Sequence, residues 1–346
     1  MSTINNRNPK ISVLMSIYKE NSLYVRQAID SILNQSFGDF EFLIYNDNPE
    51  DFILDKLVLE IARKDSRIQY QRNEKNIGLA ATLNRQICVA KGEYLARMDA
   101  DDISLPDRFI MQVEYLDRNT NIAVLGTWAK IIDKEGQVIS SASLKTGYNN
   151  IIACAMCDSP LFHPSVMIRK EFLQLNGLSY NEDFSCAQDY ELWSRILFEK
   201  GGYIDNLSVY LIYYRVTTSQ ISSIKQQQQI YNSLLVRRNN ISFFLNKYSI
   251  DLPRKITKTD VCNLINRISE FKEESSTHKI YVNILFMYCM SLPRLEKIIL
   301  LIKYVCVFYS EFSLKQMCLL VASSFFYAKV SIMLFEYNVT LISVLI

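Results

Sequence analysis

Three carboxylates fall within four positions at the end of the apolar run Tyr94–Met98: Asp99, Asp101 and Asp102. In extended backbone, residues two apart project to the same side. Asp99 and Asp101 can therefore converge on one point, while Asp102 begins the turn before Pro106 opens a helix. So much negative charge in one place is unfavourable, through repulsion and raised pKa, unless a cation shares it. Mg2+ or Mn2+ would do so, since these ions characteristically take one or two carboxylates and fill their remaining positions with phosphate oxygens and water. The bland alternative is an acidic surface turn at a helix start. Histidine is scarce: only His163 and His278 occur, which excludes a multi-histidine metal site. His163 could approach a phosphate or an acceptor, or be a loop histidine satisfied by backbone. Asp189 reads from spacing as an N-cap or first-turn charge. Trp193 reads as a core residue or a sugar-stacking ring.

Elements must position these groups. Ile11–Met15, Phe42–Tyr45, Ile68–Tyr70 and Tyr94–Met98 are short apolar runs separated by helix-period segments. Val25, Ile29, Ile32 and Leu33 form one stripe; Leu79, Leu83, Ile87 and Ala90 form another. Alternation of this kind predicts an α/β fold with a mainly parallel sheet, and open sheets bind ligands beyond the carboxyl ends of their strands. Ser16 and Tyr18 follow the first run, where a base and ribose could lie. Asn46, Asp47, Asn48 and Pro49 follow the second, and turn chemistry explains them equally well. Arg72, Asn76 and Gly78 follow the third, where a cation and a backbone turn could face phosphate.

A second portion, about 120–216, adds strand-like pieces at Ile122–Leu125, Val166–Ile168 and Val209–Tyr214 and a helical run at Tyr190–Glu199. Beyond Thr218 the pattern turns helical. The 346 residues carry 38 basic and 36 acidic side chains, net +2. This sum divides unevenly: residues 1–224 hold 23 basic against 28 acidic, and residues 225–346 hold 15 against 8. Near-neutrality gives no basis for bulk attraction to nucleic acid, and no nucleic-acid partner is expected. Eight cysteines lie mostly among apolar neighbours, and the lone Cys154/Cys157 pair lacks partners for a zinc site. The opening decapeptide lacks the apolar stretch of a secretory signal, which predicts a cytoplasmic protein. Met317–Phe335, apolar apart from Lys329, falls just short of a bilayer span; an interfacial helix, a buried helix and a span are all open readings. Basic residues such as Arg237, Arg254 and Lys258 alongside it would suit an anionic membrane face.

Taken in order, the segments 12–21, 31–51, 76–84, 91–109, 161–170 and 188–196 resemble the family 2 nucleotide-sugar glycosyltransferases of bacterial surface-polysaccharide type, over about residues 10–215. The resemblance implies a GT-A fold: a tail at 1–10, a catalytic domain at 11–218 divided near 118 into donor and acceptor parts, followed by a helical, basic and apolar region at 219–346 that could associate with a membrane. It implies that Ser16, Tyr18 and Asp47 hold the uracil and ribose of a UDP-sugar, with Arg72 and Arg97 as looser candidates. Asp99 and Asp101 resemble the DxD carboxylates, Asp102 is a candidate direct ligand of Mn2+ or Mg2+, and Asp189 resembles the catalytic base.

Two residues depart from the family pattern. Asn46 stands where the family often has an aspartate, and Gln188 where an acidic residue often precedes the base. They imply tuning of the donor site, and they keep open a nucleotide-sugar-binding protein without transferase activity. No Gln-x-x-Arg-Trp follows Asp189 and no processive channel is present, which favours single addition. The activity implied is inverting transfer of one hexose, glucose or galactose favoured, to a lipid-linked glycan acceptor such as GlcNAc- or GalNAc-diphospho-polyprenol. It would occur at the inner face of a bacterial membrane, during O-antigen or capsule assembly.

Overall fold

A computed structural model describes residues 8–156, 158–217 and 225–247. The chain divides into two compact units, Met1–Asn240 and Ile241–Ile346. The stretch Met317–Phe335, the basic positions beyond residue 247, and Cys157 lie outside the described residues, as does Thr218.

The first unit is built on strands β1 (Ile11–Ile17), β2 (Phe40–Asn46), β3 (Ile68–Arg72), β4 (Tyr94–Asp99), β5 (Ile103–Ser104), β6 (Ile122–Ile132), β7 (Val138–Ala142), β8 (Met167–Arg169) and β9 (Tyr203–Arg215). They form one sheet ordered β3-β2-β1-β4-β8-β6-β9-β5, with β7 paired to β6. The strands β3, β2, β1 and β4 run parallel, as expected from the crossover pattern. From β4 onward the sheet is mixed: β8 runs antiparallel to both β4 and β6, and β5 runs antiparallel to β9. β1 and β2 are almost wholly buried, as strands covered on both faces must be.

Crossovers are supplied by α1 (Ser22–Leu33), α2 (Phe52–Ala62) and α3 (Leu79–Val89). Asn21 caps α1 by accepting from the Leu23 amide at 2.8 Å, and Asp51 caps α2 by accepting from the amides of Ile53 and Leu54. Val25, Ile29 and Ile32 bury the predicted face of α1, each worth about 1.5–3 kcal/mol of apolar transfer. The buried face of α3 differs from the predicted stripe. It includes Thr82 and Gln86, and the Gln86 amide donates to the carbonyls of Met15 and Leu43 at 2.7 and 2.9 Å.

Helices α4 (Arg108–Arg118), α5 (Tyr148–Ala155), α6 (Lys170–Leu175), α7 (Gln188–Ser194, continuing as a π turn to Glu199) and α8 (Gln226–Lys247) complete the described chain. The predicted boundary at 218 shifts. The side-chain amides of Asn232 and Asn240, on α8, donate to the carbonyls of Cys186 and Ala155 at 2.9 and 2.7 Å, and Val236 packs against Ala187 and Tyr190. The first compact unit consequently runs through Asn240, and the start of α8 belongs with the sheet.

Candidate active site

Register aligns the carboxyl ends of three neighbouring strands: Asn46 pairs with Ile17, and Ser16 pairs with Asp99. Just beyond β4, ligand oxygens of Asp99, Asp101 and Asp102 lie within 4.8 Å of one another. Asp102 is fully buried. Its Oδ1 accepts from the Arg215 amide at 2.8 Å, while its Oδ2 is buried with no hydrogen-bond partner. Burial, then the charges of Asp101 and Asp99, push its carboxyl well above the ordinary range. An orphaned buried oxygen beside two like charges is the donor set a hard divalent cation fits.

Arg97 lies beneath this cluster, 3% exposed, and pairs with Asp99. A fourth carboxylate faces it from the β1–α1 turn: Glu20 accepts from the Tyr18 amide at 2.6 Å, and burial together with the charges of Asp101 and Asp99 pushes it up to about 7. Sequence reading passed over Glu20, although its place two residues after Tyr18 was a usable signal. The Tyr18 ring itself is exposed beside Lys19.

Asp47 is buried, and both of its oxygens accept hydrogen bonds. Its Oδ1 accepts from the Ile77 amide and the Asn73 side chain, each at 2.9 Å, and its Oδ2 accepts from the Gly78 amide at 2.8 Å. These bonds fold the 73–78 loop against the end of β2. Gly78 sits at φ +86, where a side chain would be strained. Arg72 Nη1 pairs with Asp55 at 2.8 Å, and its guanidinium lies over Phe52. The cation nearer Asp47 is Arg85, which donates to Asn73 at 3.1 Å.

Asp189 is the second residue of α7, two after Ala187 at φ 57, the only described residue other than glycine with positive φ. A left-handed alanine costs roughly 1–2 kcal/mol, so the entry to this helix is held against strain. Burial pushes the Asp189 carboxyl up to about 6, against its amide bonds and the Arg97 charge, with Asp99 adding to the rise. Glu191, two residues along the same helix, is bound to Arg195 at 2.7 Å.

Trp193 is fully buried, edge-on to His163, which fits the core reading of this residue. His163 is likewise turned inward, its Nε2 2.9 Å from the Tyr180 hydroxyl. Burial and then Arg97 hold the imidazole well below its usual pKa, so it is neutral. Together Arg97, His163, Tyr180 and Trp193 form an inner wall behind the site.

Residues 12–173 match the glycosyl transferase family 2 model. An uncharacterized glycosyltransferase of Methanocaldococcus jannaschii is 31% identical, over 78% of this chain and 97% of that protein. The chain belongs to glycosyl transferase family 2. A second family relative, the UDP-Gal:alpha-D-GlcNAc-diphosphoundecaprenol beta-1,3-galactosyltransferase of Escherichia coli, is 28% identical over 68% of this chain and 86% of that one. Among solved structures, S. aureus TarS 1–349 in complex with UDP superposes with a TM-score of 0.53 at 18% identity, covering 95% of this chain and 90% of that one. The family's GT-A fold is therefore the fold of this chain. Among the described residues, no helix is long and apolar enough to cross a membrane.

Proposed function

We propose that this family 2 transferase moves one hexose, glucose or galactose, from a UDP-sugar to a hydroxyl of a GlcNAc- or GalNAc-diphospho-polyprenol, inverting the anomeric centre. A β-1,3 linkage in O-antigen or capsule assembly, at the inner face of the bacterial membrane, fits that acceptor. The observation that carries the reading is the pairing of two carboxylate environments: a cation-hungry Asp99–Asp101–Asp102 cluster, and a separate buried Asp189 whose carboxyl is pushed up to about 6.

That division suits an in-line displacement. Asp189 takes the proton from the acceptor hydroxyl, whose oxygen attacks C1 from the face opposite the diphosphate. The C1–O bond to UDP breaks, and the electron pair leaves with the diphosphate. A pKa near 6 leaves Asp189 ionised at neutral pH yet basic enough to hold a proton in the transition state. Ser16, Tyr18 and Asp47 receive the uracil and ribose, and Asp99, fixed by Arg97, faces the ribose and pyrophosphate. Mn2+ or Mg2+ at Asp101 and Asp102 would supply neutralisation of the departing diphosphate.

The UDP and lipid-diphosphate assignments draw on the TarS complex and the Escherichia coli relative. They are tested by a screen of UDP- and GDP-sugars against synthetic lipid-diphosphate GlcNAc and GalNAc, with and without EDTA. Transfer from UDP-glucose or UDP-galactose, lost with EDTA and in Asp101→Ala, is expected. Transfer that is indifferent to EDTA, or confined to GDP-sugars, overturns the reading.

A further inference from the structure

Arg215 ends β9, 113 residues after Asp102, and it is 1% exposed. Its bonds reach the acidic turn and the elements around it. The backbone amide donates to Asp102 Oδ1 at 2.8 Å, and Nε donates to the Asp101 carbonyl at 2.7 Å. Nη2 donates to Gln27 Oε1 at 2.8 Å, and Nη1 to the Asp133 carbonyl at 3.2 Å. The guanidinium lies 4.2 Å over the Tyr24 ring, and the Tyr24 hydroxyl donates to the Lys134 carbonyl at 2.8 Å. One planar fork thus ties the Asp101–Asp102 turn to α1, to the turn joining β6 and β7, and to the end of β9.

We infer that Arg215 is a positioning residue of the metal turn: by holding the Asp101 carbonyl and Asp102 Oδ1, it keeps the Asp101–Asp102 turn in the arrangement that accepts a divalent cation. The inference rests on the metal site proposed above. The physical argument is geometric. Three like-charged carboxylates within 4.8 Å repel one another, and the turn that carries them would open without a clamp. Asp102 Oδ1 is spent on the Arg215 amide, which aims the buried Oδ2 at the shared point. Only a guanidinium can serve Asp101, Asp133 and Gln27 at once, because its donors are fixed in one plane; an ammonium on a flexible stem cannot span them. Partners outside the ligand shell orient ligands in this way, and their loss costs roughly 10–100-fold in metal affinity.

The test is direct Mn2+ binding by the full-length protein, followed by electron paramagnetic resonance of free Mn2+, for wild type, Arg215→Lys and Gln27→Leu. Melting curves and UDP affinity without metal are measured alongside. Arg215→Lys is expected to weaken Mn2+ binding about tenfold or more. Gln27→Leu removes one bond to the fork and is expected to weaken it about threefold. Metal-free UDP affinity should hold in both. Should Arg215→Lys not fold, Gln27→Leu decides. Wild-type Mn2+ affinity in the folded variants overturns the positioning role alone; no Mn2+ binding by wild type overturns the metal site and this role with it.

Discussion

Asn46 donates its side-chain amide to the Asp55 carboxylate at 2.8 Å. The same Asp55 receives the Tyr70 hydroxyl and the Arg72 guanidinium. An aspartate at position 46, which relatives in the family often have, would here place two buried carboxylates face to face. Asn46→Asp should therefore destabilise the fold by about 1–3 kcal/mol, and Asp55→Asn in the same background should recover part of that. A urea-unfolding double-mutant cycle reads the coupling; simple additivity would remove the pairing as the reason for asparagine.

Asp189 must be ionised to accept a proton, so kcat/KM should fall as pH drops through about 6. Asp189→Asn should lower kcat about 10²–10⁴-fold. The stability sign is opposite. A carboxyl whose folded pKa is raised binds its proton more tightly when folded, so stability falls as pH rises from about 3.8 to about 6. Asp189→Asn should accordingly melt higher than wild type at pH 8 while being inactive, as scanning calorimetry can check.

Asp102 carries the same kind of cost, because its ionised form is buried among like charges. Asp102→Asn should raise the melting temperature of the metal-free protein. It should also abolish the rise that wild type shows on adding Mn2+, worth about 2.7 kcal/mol at a hundredfold excess over Kd. An undiminished Mn2+ shift in the variant would place the cation elsewhere.

Trp193 is part of the inner wall, so Trp193→Phe should cost stability, about 1–3 kcal/mol by loss of packed volume, while leaving the acceptor KM within about twofold of wild type. A tenfold KM rise with unchanged melting would restore the stacking role.

Ala187 supports a strained backbone two residues before Asp189. Ala187→Gly should raise stability by up to about 1 kcal/mol, measured by thermal melting. A loss of stability would show that the alanine methyl, packed with Tyr190 and Val236, outweighs the strain.

Much of the donor half was legible in the sequence. The four parallel strands appear where apolar runs alternate with helical stripes, because strands buried on both faces have no choice but to be continuously apolar. The acidic cluster was legible because a strand end fixes where its residues project. Other features had no local signal. Gln86 and Arg108 are buried polar residues, and Arg108 donates to the carbonyls of Arg97 and Val166; hydrophobicity patterns count such residues as exposed. The Arg72–Asp55 pair had no local signal, because Asp55 lies on a different element. The inward turn of Trp193 and His163 depends on Tyr180 and Arg97, which are distant in sequence.

The closure of the acidic turn by Arg215 also sets an order in time. During synthesis the first four strands can pair as they emerge, since each crossover is short. The turn after β4 cannot be completed until more than a hundred further residues have left the ribosome and β9 has come back beside β6 and β5. Loop closure over that distance is the slow, entropically costly step. The turn that carries Asp101 and Asp102 is therefore closed only by a strand more than a hundred residues downstream, so its geometry depends on the finished sheet and not on its local sequence.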